Sequence, residues 1–130
     1  MHNLALALHE AGHEISGSDD VIFEPSKSRL AAVGLLPLEM GWQPENIHSD
    51  IDVIIFEDYD KGLISKSLIE HVVKLARQKK IPVAVDPKKR NFNFYKNVDL
   101  FKPNLKELKE GMKIDVEKDN TSEIIKAVKK

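Results

Sequence analysis

Three short segments gather most of the side chains able to do chemistry. They are Glu57-Asp58-Tyr59-Asp60-Lys61-Gly62, Asp86-Pro87-Lys88-Lys89, and Lys102-Pro103-Asn104 with Glu107 three residues on. Carboxylates hold hard cations through oxygen, and lysine ammonium groups offer mobile point charges to phosphate. The mixture therefore suits a nucleotide, a phosphate or a magnesium ion. A fourth segment, Gly17-Ser18-Asp19-Asp20, carries two more carboxylates. His9 and His13 stand four apart, a spacing that can pair two metal ligands, but no third ligand accompanies them and a surface position is the commoner reading. With no cysteine in the chain, thiolate catalysis and disulfides are excluded, which fits a reducing cytoplasm.

Each of these patterns also has a purely structural reading. Asn104 with Glu107 has the spacing of a helix capping box, in which the cap side chain accepts an amide hydrogen bond and the glutamate reaches back. Asn120 with Glu123 repeats that spacing. One pair can cap a helix and serve a ligand together. Asp58 to Gly62 reads equally as a hydrated strand-to-helix turn, Asp86 before Pro87 as turn chemistry, and Ser18 to Asp20 as a capped turn. Trp42 is expected to be a packing residue.

The elements that must position these groups follow from periodicity. Leu4, Leu6 and Leu8 among alanines predict a helix stopped at Gly12, with a short strand at Glu14 to Gly17. Ser26 to Val33 reads as a helix ended by Gly34. Asp52 to Phe56 is a continuous apolar run, as expected of a strand covered on both faces. Leu63 to Gln78 carries apolar residues three and four apart and predicts an amphipathic helix. Pro82 to Val85 and Val98 to Phe101 read as further strands, and Leu105 to Met112 and Ser122 to Val128 as helices. Alternating strands and helices imply an α/β fold with a mostly parallel sheet, whose ligands collect beyond the carboxyl ends of the strands. All four segments singled out above follow a predicted strand.

Composition sets the outer limits. A chain of 130 residues with 42% hydrophobic and 32% charged residues can bury one core, and no apolar run approaches a membrane span or a signal peptide. Residues 1–59 hold two basic and eleven acidic side chains, whereas residues 60–130 hold eighteen basic and ten acidic. The basic residues are spread over helices and loops without interleaved aromatics, which argues against a nucleic-acid partner. The chain changes character near residue 57.

Two resemblances match that change. Residues 1 to 55, through Met1-His2-Asn3-Leu4-Ala5, Gly17-Ser18-Asp19-Asp20, Ile22-Phe23-Glu24-Pro25-Ser26 and Met40-Gly41-Trp42, resemble the amino-terminal domain of UDP-N-acetylmuramate (Mur) ligases of peptidoglycan synthesis. Residues 51 to 117 resemble the middle of the ribokinase (PfkB) family of carbohydrate kinases, most of all the heptose-phosphate kinases of ADP-heptose synthesis. The carrying segments are Glu57 to Gly62, Ile81-Pro82-Val83-Ala84-Val85-Asp86-Pro87-Lys88 and Phe101-Lys102-Pro103-Asn104-Leu105-Lys106-Glu107-Leu108.

The resemblances imply a three-layer Rossmann-like or ribokinase-like sheet with flanking helices, incomplete relative to either parent fold. They imply two pieces, 1–55 and 56–130, expected to pack as one compact domain. In the kinase family the segment holding Asp58, Tyr59, Lys61 and Gly62 lies against the sugar, and Asp86, Lys88, Asn104 and Glu107 lie toward the nucleotide phosphates. Glu107 would serve Mg2+ bound with ATP. In the ligases Ser18, Asp19 and Asp20 match a loop near the uridine of a UDP-sugar.

Neither the ligases' glycine-rich diphosphate loop nor their P-loop is present, and the kinase segment that bears the catalytic base is missing. No catalytic residue is therefore assigned, and no kinase turnover is expected from this chain alone. Three readings stand: part of a PfkB-type kinase site, a nucleotide-sugar module derived from a Mur ligase, and a non-catalytic recombined α/β fold or chimera. The partners expected are a small nucleotide or sugar phosphate, with neither nucleic acid nor membrane. Self-association through an exposed sheet edge is a further expectation.

Overall fold

The computed structural model describes residues 2–60, 62–115, 117 and 120–128. By its internal contacts the chain divides into two compact units, Met1–His48 and Ser49–Lys130.

The first unit holds helices α1 (His2–Glu10) and α2 (Ser26–Ala32) and a 3-10 turn at Pro44–Asn46. Helix α1 ends as its glycine predicts. Gly12 adopts φ +90°, and the amides of Gly12 and His13 return to the carbonyls of His9 and Leu8. The two helices are clasped through one imidazole. Arg29 can only donate, so His2 Nε2 accepts from it at 3.2 Å, leaving Nδ1 to donate to Ser26 Oγ at 2.7 Å. The strand expected at residues 14–17 does not form, and that segment is irregular. The reason is the missing neighbour: among the described residues the first unit has no strand, and a lone one would leave its backbone groups unpaired. His9 and His13 are both exposed, and Trp42 is half-buried.

The second unit is built on a parallel sheet of β1 (Ile54–Glu57), β2 (Val83–Asp86) and β3 (Leu100–Phe101), in the order β1-β2-β3. Ile54 pairs with Val83, Phe56 with Val85 and Glu57 with Asp86, while Ala84 pairs with Leu100 and Val85 with Phe101. Helix α3 (Lys66–Lys79) connects β1 to β2. It starts three residues later than its apolar pattern, because Ser65 caps it by accepting the Leu68 amide at 3.2 Å. It ends at Lys80, which takes the left-handed conformation at φ 59°. Helices α4 (Leu105–Met112) and α5 (Thr121–Val128) follow the sheet. The unit is thus α/β, a small parallel sheet with flanking helices, consistent with an incomplete Rossmann-like fold. No helix among the described residues is long and apolar enough to cross a membrane.

The pleat sorts the strands into two faces. Phe56, Val83 and Val85 are buried, and with Ile69, Val72, Val73 and Ala76 of α3, Ile81, Phe92, Tyr95 and Leu108 they form the core. Phe92 meets Phe101 edge-on at 4.9 Å, and Tyr95 meets Phe56 at 5.5 Å. The opposite face departs from expectation. β1 was expected to be covered on both sides, yet Ile55 is 41% exposed and Leu100 58% exposed, with Ala84 between them in register. A continuous apolar run shows that a strand is apolar on both faces; it cannot show that a second layer of helices covers both.

Candidate functional site at the carboxyl rim of the sheet

Because the three strands are parallel, their carboxyl ends share one rim, and the segments after them are brought together there. Glu57 and Asp86 are register partners on adjacent strands, so two carboxylates lie side by side at that rim. Tyr59 follows β1 and is 52% exposed. Its phenol is held above its ordinary pKa by partial desolvation, then by the charges of Glu57 and Asp86, with Lys88 opposing them. Asp86 also faces Lys102 across 3.9 Å.

Lys88 and Glu107 form the tightest ion pair of the rim, Nζ donating to Oε1. Glu107 is only 7% exposed. Burial alone would raise its carboxyl pKa. The hydrogen bond from Lys88, the Asn104 amide and the charges of Lys88 and Lys102 outweigh burial and hold it low. Lys88 is raised in turn, chiefly by its hydrogen bond to Glu107. Asn104 and Glu107 do form the capping box that opens α4: Asn104 Oδ1 accepts the Glu107 amide at 2.9 Å, and Glu107 Oε2 accepts the Asn104 amide at 2.9 Å. Glu107 therefore serves helix and rim at once, one oxygen for each. Asp86 is the more open carboxylate, and Lys88 and Lys102 are the nearby cations.

Asp58 stands apart from the other site candidates. It is 2% exposed, and both its oxygens are used within the protein. Oδ1 accepts the Asp60 amide at 2.8 Å; Oδ2 accepts Asn91 Nδ2 at 3.0 Å and Tyr95 OH at 2.8 Å. The turn it supports places Asp60 at φ 60° and Gly62 at φ 61°. The second suits glycine, which has no Cβ to strain. Lys61 lies outside the described residues. Arg90 reaches Asp60 at 3.7 Å.

The sequence does not single out Asn91 or Tyr95. Asn91 and Tyr95 carry no motif, and the only hint was a cluster of aromatics around them at Phe92, Phe94 and Tyr95. Lys102 was visible as a strand-end lysine. In the first unit, Ser18, Asp19 and Asp20 lie on a loop tied to the segment from Gly41 to Asn46. The Asp19 carbonyl accepts the Gly41 amide at 2.7 Å, Asp19 Oδ1 accepts the Asp20 amide at 2.8 Å, and Ser18 Oγ accepts Asn46 Nδ2 at 3.5 Å. Among the described residues no group of three or more histidine, aspartate or glutamate side chains is placed to hold a metal ion on its own.

Part of this chain is similar to known proteins. It is similar to the Bifunctional protein HldE of Granulibacter bethesdensis, 45% identical over 60 residues, which are 46% of this chain and 12% of the relative. The Bifunctional protein HldE of Campylobacter jejuni is 36% identical over 81 residues, 62% of this chain and 18% of the relative. The Uncharacterized protein MJ1336 of Methanocaldococcus jannaschii is 39% identical over 73 residues, 56% of this chain and 47% of the relative. Over about half its length, this chain is related to HldE proteins. It spans well under two thirds of each of these relatives. No protein-family model matches the chain, and no solved structure matches it. For residues 1–55 the Mur-ligase reading stays an expectation from the sequence, which these relatives do not support.

Proposed function

We propose that the second unit carries part of a ribokinase-type carbohydrate kinase site, one that binds a nucleotide and a sugar phosphate of the heptose-phosphate class. The observation that carries this reading is the gathering of Tyr59, Asp86, Lys88, Lys102 and Glu107 at the carboxyl rim of one parallel sheet. The HldE relatives support it, since they match about half of this chain at 33% to 45% identity and residues 51 to 117 resemble heptose-phosphate kinases. Lys88 and Lys102 would face phosphate oxygens. Asp86, and Glu107 once Lys88 turns to phosphate, would serve Mg2+, which supplies charge neutralisation when bound with ATP. Tyr59 and Gly62 would face the sugar.

Binding without turnover is the activity proposed. At the sugar-side turn Asp58 is occupied on both oxygens and is not placed to take a proton from a sugar hydroxyl, while Asp60 faces Arg90. In this reading residues 1–55 derive from a Mur ligase and residues 56–130 from a kinase. The outer edge of β1 is a candidate surface for self-association.

The test is calorimetric titration of the intact chain with MgATP and with a heptose phosphate, alongside a coupled ATP-hydrolysis assay. Binding of either kinase ligand, weakened by Lys88→Met, is the expected result. Stabilisation by a UDP-sugar alone would replace this reading with the ligase-derived one, and silence toward all three ligands would leave a non-catalytic α/β fold.

A further inference from the structure

Asp58 follows β1 and is buried inside the unit, where an ionised carboxylate is costly unless donors surround it. Three donors do: the Asp60 amide, the Asn91 side-chain amide and the Tyr95 hydroxyl. Only a carboxylate has the acceptor capacity for all three, because an asparagine in its place would present a single oxygen. Tyr95 stays a donor across the ordinary pH range, its phenol raised first by burial and then by the hydrogen bond to Asp58. Asn91 does more than meet Asp58. The same nitrogen donates to the Ile64 carbonyl at 3.0 Å, so one side chain holds both ends of the turn from 58 to 64. Buried polar groups of this kind are poor sources of net stability and better ways of fixing one geometry. Here the geometry includes two left-handed residues, Asp60 and Gly62.

The three residues come from different places. Asp58 follows β1, whereas Asn91 and Tyr95 flank the 3-10 turn Phe92–Phe94 on the segment that leaves β2. That segment also carries Lys88, which holds Glu107. We propose that Asn91 and Tyr95 are positioning residues: through the Asp58 carboxylate they latch the turn bearing Tyr59 and Gly62 to the segment bearing Asp86 and Lys88. The two strand-end segments then present their ligand-facing groups as one body. The ligand part of this inference rests on the function proposed above; the latch itself does not.

Tyr95→Phe removes the hydroxyl and keeps the ring against Phe56 and Phe101. Amide hydrogen exchange of the intact chain, read by NMR, should then show the Asp60 amide exchanging at least about tenfold faster, the loss expected of a hydrogen bond to a charged group. The amides of Val72 and Val85 should stay within about threefold, since exchange reports local opening separately from global unfolding. A uniform acceleration, or no change at Asp60, overturns the latch. Asn91→Leu tests the other half and keeps the experiment decisive if Tyr95→Phe does not fold; it should loosen Gly62 while sparing the same core amides. Titration with MgATP supplies the ligand arm. The affinity of Tyr95→Phe should fall about tenfold relative to the parent. Equal affinity with a loosened turn overturns the positioning role. If the parent binds no MgATP, the ligand reading fails while the exchange data still decide the latch.

Discussion

Gly111 lies in the last turn of α4, where alanine would ordinarily stabilise a helix by up to about 1 kcal/mol over glycine. In this fold a methyl group there has nowhere to go. A Cβ on Gly111 would fall 2.5 Å from both Cδ1 and Cδ2 of Phe92, well inside contact distance. The ring cannot simply withdraw. It is buried, stands edge-on to Phe101 at 4.9 Å, and follows Asn91, which is tied to Asp58 and Ile64. Overpacking of this kind costs about 1–3 kcal/mol. Gly111→Ala is therefore expected to destabilise the unit by a net of about 1 kcal/mol. For a unit of this size that is a fall in melting temperature of roughly 4–8 °C. Circular dichroism melts and urea titrations measure both. Gly17→Ala is a control, since nothing lies within 4 Å of a Cβ there. Shrinking the ring with Phe92→Leu should remove most of the penalty, giving a coupling of at least about 0.5 kcal/mol in a double-mutant cycle. A rise in melting temperature for Gly111→Ala alone would refute the reasoning, because it would mean that α4 and the ring do not meet as closely as described.

Three further outcomes are expected. Glu107→Gln should cost about 1–3 kcal/mol in urea at neutral pH, because it takes the charged partner from Lys88 and weakens the cap of α4. The folded carboxyl is lowered from 4.5, so its contribution is present above that value and lost as pH falls through the lowered one. The gap between parent and variant should accordingly narrow in acid, and a gap independent of pH would count against the charge pair. Ser65→Ala should cost about 1 kcal/mol by removing the acceptor for the Leu68 amide; an unchanged urea midpoint would show that α3 needs no cap. Ile55→Thr should change stability by no more than about 0.5 kcal/mol, whereas Ile69→Ala should cost about 2–5 kcal/mol. Equal losses at the two positions would mean that the Ile55 face is covered in solution.

What could be read from the sequence was local. The stripe of Ile69, Val72, Val73 and Ala76 and the capping spacing of Asn104 with Glu107 declare themselves within a turn or two of helix, and both form as expected. The pairing of Lys88 with Glu107 joins residues 19 apart and needs the fold to bring it about. The burial of Asp58 was less legible still, since Asn91 and Tyr95 lie 33 and 37 positions away and neither belongs to a recognisable motif. A carboxylate followed by Tyr, Asp and Lys looks like a hydrated turn or a ligand loop; only distant donors make it an interior group. The strand expected at Glu14 to Gly17 failed for the complementary reason: a strand exists only beside another. Exposure of Ile55 follows the same rule, as covering layers are set by chain far away in sequence.

The parallel order of β1, β2 and β3 also separates the two rims of the sheet. In the second unit the described candidate ligand groups stand at the carboxyl rim, while the turns entering β2 and β3 pass through Lys80 and Asn97 at the amino rim, each in the left-handed conformation. A four-residue strand spans roughly 13 Å. Insertions, labels or fused domains placed at Lys80 or Asn97 would therefore sit a full strand length from the rim chemistry. These two turns are natural points at which the unit can be lengthened or tethered without touching that rim.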